Sequence, residues 1–186
     1  MILMDRIILL TGERGVGKTH VCERVVEEAR SRGFSCAGVL SRALFEGQDK
    51  VGINLVDVAS GEERPLASAD DVPGEVRWGR YRFVASSVAW GTEALAKASP
   101  CDLLVVDEVG PLELERGQGF AMALDVLAKG SFALGLVVIR PALLDRVAGR
   151  LQGKRPLVLE VSLGNRDLLP GRIIALLEEE AESARE

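Results

Sequence analysis

The chain has 186 residues, 47% hydrophobic and 27% charged, with a net charge of −5. That is the composition of a globular domain with a full core. The acidic balance disfavours a broad duplex-binding surface, and an aromatic content of 4% disfavours a platform for stacking single strands. The three cysteines, Cys22, Cys36 and Cys101, form no C-x-x-C pair, and His20 is the one histidine. A zinc site and a disulfide framework are therefore not expected, and buried thiols in a reducing compartment are.

The N-terminus "MILMDRIILL" interrupts its apolar stretch with Asp5 and Arg6 and lacks a small-residue cleavage site, so it reads as a strand, Arg6 to Leu10. Lys18 to Arg32 reads as a helix, with Val21, Val25, Val26 and Ala29 on one face and Gly33 as its stop. "SCAGVLSRAL" and "DKVGINLVDV" read as strands joined by a turn at "FEGQ", and "EVRWGRYRFV" alternates as a further strand after "SGEERPL". Residues 37–84 thus form a β-rich insert. "VAWGTEALAKAS" reads as a helix and "CDLLVVDEVG" as a buried strand with acids at its carboxyl end. A helix from Gly119 to Lys129, the strand "FALGLVVIR", a helix from Pro141 to Leu151, the strand "PLVLEVS" and the helix "LPGRIIALLEEEAESARE" complete the chain. This alternation predicts one α/β domain over residues 1–186, with a mostly parallel sheet covered by helices on both faces. The longest apolar run, Phe132 to Ile139, is too short to span a bilayer. No membrane partner, a cytoplasmic location and a monomer are expected. The sequence names no protein partner.

Gly12 to Thr19 spells G-x-x-x-x-G-K-T between an apolar strand and an amphipathic helix. Glycines permit positive φ, so successive N–H groups can turn inward onto phosphate oxygens, and the helix start adds unpaired amides. The predicted phosphate-binding residues are Gly12, Glu13, Arg14, Gly15, Val16, Gly17, Lys18, Thr19 and His20. Lys18 bridges the outer phosphates, and the Thr19 hydroxyl is a ligand for Mg2+. Asp107 emerges at the carboxyl edge, where it can hold Mg2+ opposite Thr19. Glu108 follows and can orient and deprotonate a water in line with the terminal phosphate. Lys18 and Glu108 are thus the candidate catalytic residues.

"DEVG" also fits the D-x-x-G of GTPases, but the guanine reader N-K-x-D has only "NRDL", Asn165 to Leu168, as a counterpart. The Asp-Glu pair favours a sheet in which "FALGLVVIR" lies between the loop strand and the acidic strand. That order would bring Arg140 towards the terminal phosphate. Arg116 is a second candidate for neutralising charge there, and Asn165 and Arg166 are candidates for the base or ribose, against a plain capped turn before Pro170. "RWGRYR", Arg77 to Arg82, could bind RNA or an acidic partner. Alternation along one strand, with Trp78, Arg80 and Arg82 sharing a face, explains it more simply.

"LTGERGVGKTH", "VVDEVGPLEL" and "NRDLLP", with "GVLSRAL" and "VRWGRYRFV" between them, resemble the small nucleoside-triphosphatase family that includes the cancer-related nucleoside triphosphatase and its bacterial and archaeal relatives. The resemblance covers nearly the whole chain. It implies a RecA-like phosphate-loop domain that slowly hydrolyses ATP, GTP and other nucleoside triphosphates with Mg2+ and little base preference. Gly12, Gly15, Gly17, Lys18 and Thr19 match the family's phosphate and metal positions, and Asp107 and Glu108 its metal and water positions. Glu13 and Arg14 depart from a common proline-containing pair, and His20 from a common threonine. A kinase sharing the loop but carrying an acceptor pocket, and a nucleotide-timed switch, remain as alternatives.

Overall fold

The computed structural model describes residues 6–69, 76–78, 81–109, 122–154 and 156–184. The described strands are β1 (Arg6–Thr11), β2 (Cys36–Glu46), β3 (Asp49–Asp57), β4 (Glu63–Ser68), β5 (Val76–Trp78), β6 (Tyr81–Phe83), β7 (Cys101–Val109), β8 (Phe132–Ile139) and β9 (Pro156–Glu160). The helices are α1 (Lys18–Ser31), α2 (Ala85–Ala96), α3 (Ala123–Lys129), α4 (Leu144–Arg150) and α5 (Leu169–Ser183).

The strands make one sheet in the order β5-β6-β4-β3-β2-β7-β8-β1-β9. From β2 to β9 neighbours pair in parallel; from β2 to β5 they pair antiparallel. Ile7 to Leu10 in β1 are wholly buried because β8 and β9 flank the strand and helices cover both faces. Ile7 and Leu9 join the core shared with α2, α3 and α4, while Ile8 and Leu10 join the core shared with α1 and α5. A continuous apolar run results, since both faces are dry. Each such buried Leu or Ile contributes roughly 1.5–3 kcal/mol. α1 buries Val21, Cys22, Val25, Val26 and Ala29 and ends where expected. Gly33, at φ 86°, lets its own N–H reach the Arg30 carbonyl and the Phe34 N–H reach that of Ala29.

The insert departs from expectation in detail. "EVRWGRYRFV" holds two short strands, with Trp78 opposite Tyr81, so the chain reverses between them. The reversal lets β5 satisfy its backbone against β6, which a single strand at this edge would leave open. Gly79 and Arg80 themselves lie outside the described residues, as do Arg116 and the start of the helix expected from Gly119. β4 occupies a stretch to which the sequence pattern assigned no element. Its Pro65 is accommodated beside a register shift, where Ile53 opposes Ala67 and Asn54 opposes Pro65. Pro141 to Leu143 form a tight 3-10 turn before α4, not part of one longer helix. The insert is also no separate layer: β2 pairs with β7 over Cys36 to Val39, then runs on and pairs with β3. No helix among the described residues is long and apolar enough to cross a membrane.

Candidate active site

The loop between β1 and α1 sits at the carboxyl edge of the parallel strands. A Cβ on Gly12 would lie 2.6 Å from the Val161 carbonyl oxygen, because the chain after β9 bonds back through Val161 N–H to Thr11 O at 2.8 Å. Gly17 is the N-cap of α1 at φ 108°, and no side chain caps the helix. The first amides of α1 are thus left to whatever binds there. Val16 packs on the core beneath, while Glu13, Arg14, Gly15 and His20 are exposed. The Lys18 ammonium donates to the carbonyls of Gly12 (2.8 Å) and Glu13 (2.7 Å), arching over its own loop.

β7 delivers the acids, and β8 lies between β7 and β1, as the Asp-Glu pair suggested. Asp107 is 2% exposed. The Thr19 hydroxyl donates to its carboxylate. Burial pushes the Asp107 carboxyl up to about 7, and Glu108 adds to the rise, against the Thr19 and Ser41 hydrogen bonds and the Lys18 charge. A buried carboxylate this poorly compensated, facing a hydroxyl, is a hard oxygen pair that suits a divalent cation. The Cys22 thiol behind it is pushed well up by burial, then by Asp107 and Glu23, and stays protonated. The Glu108 carboxylate is ion-paired with Arg140 Nε, at the end of β8, so two residues singled out separately meet.

After β9, Asn165 clasps its own loop. Its Oδ1 accepts from Ser162 N–H at 2.8 Å, and its Nδ2 donates to Glu160 O at 2.9 Å. Arg166 lies over the start of α1, where a Cβ on Gly17 would meet its Cδ at 3.2 Å and Nη1 at 3.6 Å. Its Nε is buried and without a hydrogen-bond partner among the described residues.

Sequence reasoning missed Ser41. Its hydroxyl donates to the Asp107 carbonyl at 2.6 Å and its N–H to Oδ2 at 3.4 Å, so β2 orients the end of β7. A lone serine in a strand gives no signal, because its partner is 66 residues away.

A strand–glycine loop–helix unit with Lys-Thr, set one strand away from a buried Asp followed by Glu, defines the phosphate-loop nucleotide-binding class. A family model described as NTPase matches residues 7–174. The chain is 30% identical over 177 residues to the nucleoside-triphosphatase THEP1 of Methanopyrus kandleri, covering 92% of this chain and 94% of that one. It is 31% identical over 178 residues to the THEP1 of Natranaerobius thermophilus, covering 93% and 97%. The solution structure of a human cancer-related nucleoside triphosphatase superposes with a TM-score of 0.73 at 27% identity, over 94% of this chain and 98% of that one. The chain belongs to this NTPase family.

Proposed function

We propose that this enzyme hydrolyses nucleoside 5′-triphosphates, ATP and GTP among them, to the diphosphate and phosphate, with Mg2+ and little base preference, as a single-domain monomer. The observation that carries the reading is the convergence of the amide-lined loop, the Lys18 ammonium and the Thr19–Asp107 pair at one sheet edge. Lys18 and the free amides of α1 hold the outer phosphates and offset charge that grows during transfer. Thr19 and Asp107 would hold Mg2+, a hard cation suited to their oxygens, which would supply charge neutralisation on the phosphates. Glu108 orients the attacking water, and its ion pair with Arg140 fixes the carboxylate. Arg166 lies beside the loop, while the Asn165 amide is taken up within its own turn. The self-satisfied Asn165 amide supports low base preference.

Phosphate release by Lys18→Ala and Glu108→Gln, measured with ATP, GTP, CTP and UTP, tests this. Both variants should fall at least about tenfold below the parent. A Glu108→Gln enzyme that binds Mg-ATP and turns over at the parental rate would remove the role given to Glu108.

A further inference from the structure

β2 and β3 extend beyond the carboxyl edge of the parallel sheet, on the side of the acidic strand end. β2 leaves β7 after Val39, bonds Asp107 through Ser41, and continues to Glu46. β3 returns from Asp49. Near the tip the register slips: Leu44 opposes Gly52, but Phe45 opposes Lys50, so Val51 is an extra residue in β3. Such bulges re-aim side chains and recur beside active sites.

Here the bulge is immediately preceded by Lys50, the one lysine of the hairpin. Its ammonium lies 5.6 Å from the centre of the Tyr81 ring on β6, and the Tyr81 hydroxyl donates to the Lys50 carbonyl at 3.3 Å. The same tyrosine therefore seats both the backbone and the charge of Lys50. The ammonium is half-buried; burial lowers its pKa and Arg14 adds to that, while Tyr81, Glu108 and Asp107 act against it. Arg14 belongs to the glycine loop, and the two acids to the end of β7. Arg140, one of the two arginines considered for this position, is ion-paired with Glu108.

We propose that Lys50 is a catalytic residue of the triphosphate site, reaching the terminal phosphate from the β2–β3 hairpin on the side opposite Lys18. The inference rests on the hydrolysis reading above. In that reaction the water oxygen bonds to the terminal phosphorus while the bridging P–O bond breaks. The diphosphate leaves with the bonding electron pair, and the water's proton passes to solvent. Charge accumulates on the oxygens of the transferring group, where a fixed ammonium acts as the arginine does in efficient GTPases. The bulge and the Tyr81 seat hold the lysine in place before substrate arrives, so little reorganisation is needed in the reaction.

Lys50→Met keeps the length and the apolar stem against Tyr81 and deletes the charge; Lys50→Arg keeps the charge. Turnover of Mg-ATP, the affinities for ADP and for a non-hydrolysable ATP analogue, and the melting temperature are measured for both variants and the parent. Lys50→Met should lower kcat on the order of 10²-fold, the effect of removing one oriented donor, and Lys50→Arg should recover part of it. The methionine variant should bind the ATP analogue about tenfold more weakly and ADP as the parent does, because ADP lacks the terminal phosphate. A kcat within about twofold of the parent, or an equal loss of affinity for ADP and analogue, would overturn the proposal. If Met disturbs the hairpin, Lys50→Gln repeats the measurement. A parent that releases no phosphate refutes hydrolysis itself; the ADP-against-analogue comparison then still decides whether Lys50 meets a terminal phosphate.

Discussion

Replacing Asp107 with Asn removes a buried charge while keeping the shape of the side chain. The carboxyl is pushed from 3.8 to about 7, chiefly by burial. At about 1.4 kcal/mol per pH unit, the ionised aspartate costs the metal-free fold on the order of 4 kcal/mol once the pH exceeds 7. The sign follows from proton binding. Between 3.8 and about 7 the folded protein holds a proton that the unfolded chain has released. Stability therefore falls as pH rises through that window and levels off above it. Asn escapes this cost but turns an amide N–H2 towards the Thr19 or Ser41 donors, a mismatch of about 1–2 kcal/mol. Asp107→Asn should thus be about 2–3 kcal/mol more stable than the parent at pH 8 in EDTA, with the gain vanishing near pH 5. Urea denaturation at the two pH values measures it, and phosphate release with Mg-ATP should meanwhile collapse. An Asn variant no more stable than the parent at pH 8 would refute the account of Asp107 as an under-compensated buried carboxylate.

Gly47→Ala meets nothing within 4 Å and has only its φ of 61° against it, so it should cost about 1 kcal/mol. Gly12→Ala, whose Cβ would lie 2.6 Å from Val161 O, should cost about 3 kcal/mol and abolish nucleotide binding; equal denaturation midpoints for the two would show that the close approach is not needed. Asn165→Ala removes two hydrogen bonds of the β9–α5 loop and should raise KM for ATP, GTP, CTP and UTP by the same factor, a base-dependent change being evidence that the amide reads the base. Burial raises Cys36 to about 11 and Cys101 to about 12. Alkylation of the native protein by iodoacetamide at pH 8 should therefore run at least about a hundredfold slower than that of the urea-unfolded chain. Folding stability should also decline above pH 9, where the unfolded thiols ionise first.

The sheet's central logic was legible in the residues because its causes are local or periodic. Positive φ at Gly12, Gly15 and Gly17 is a property of those glycines, and the buried runs of β1, β7 and β8 announce strands covered on both faces. The Asp-Glu pair even pointed to the strand order, with β8 between β1 and β7. β4 was not legible, because Pro65 argues against a strand until the extra residue beside it, Leu66 in the same strand, is known. The hairpin of β5 and β6 read as one strand, since alternation is preserved when the chain turns back. Ser41 on Asp107, Arg140 on Glu108, Arg166 over Gly17 and Lys50 on Tyr81 are contacts between residues 31 to 149 positions apart. Backbone preference and hydrophobic period act over a few residues, so they specified the loop and the strands. Which side chains meet across the carboxyl edge was decided only when the strands closed into one sheet.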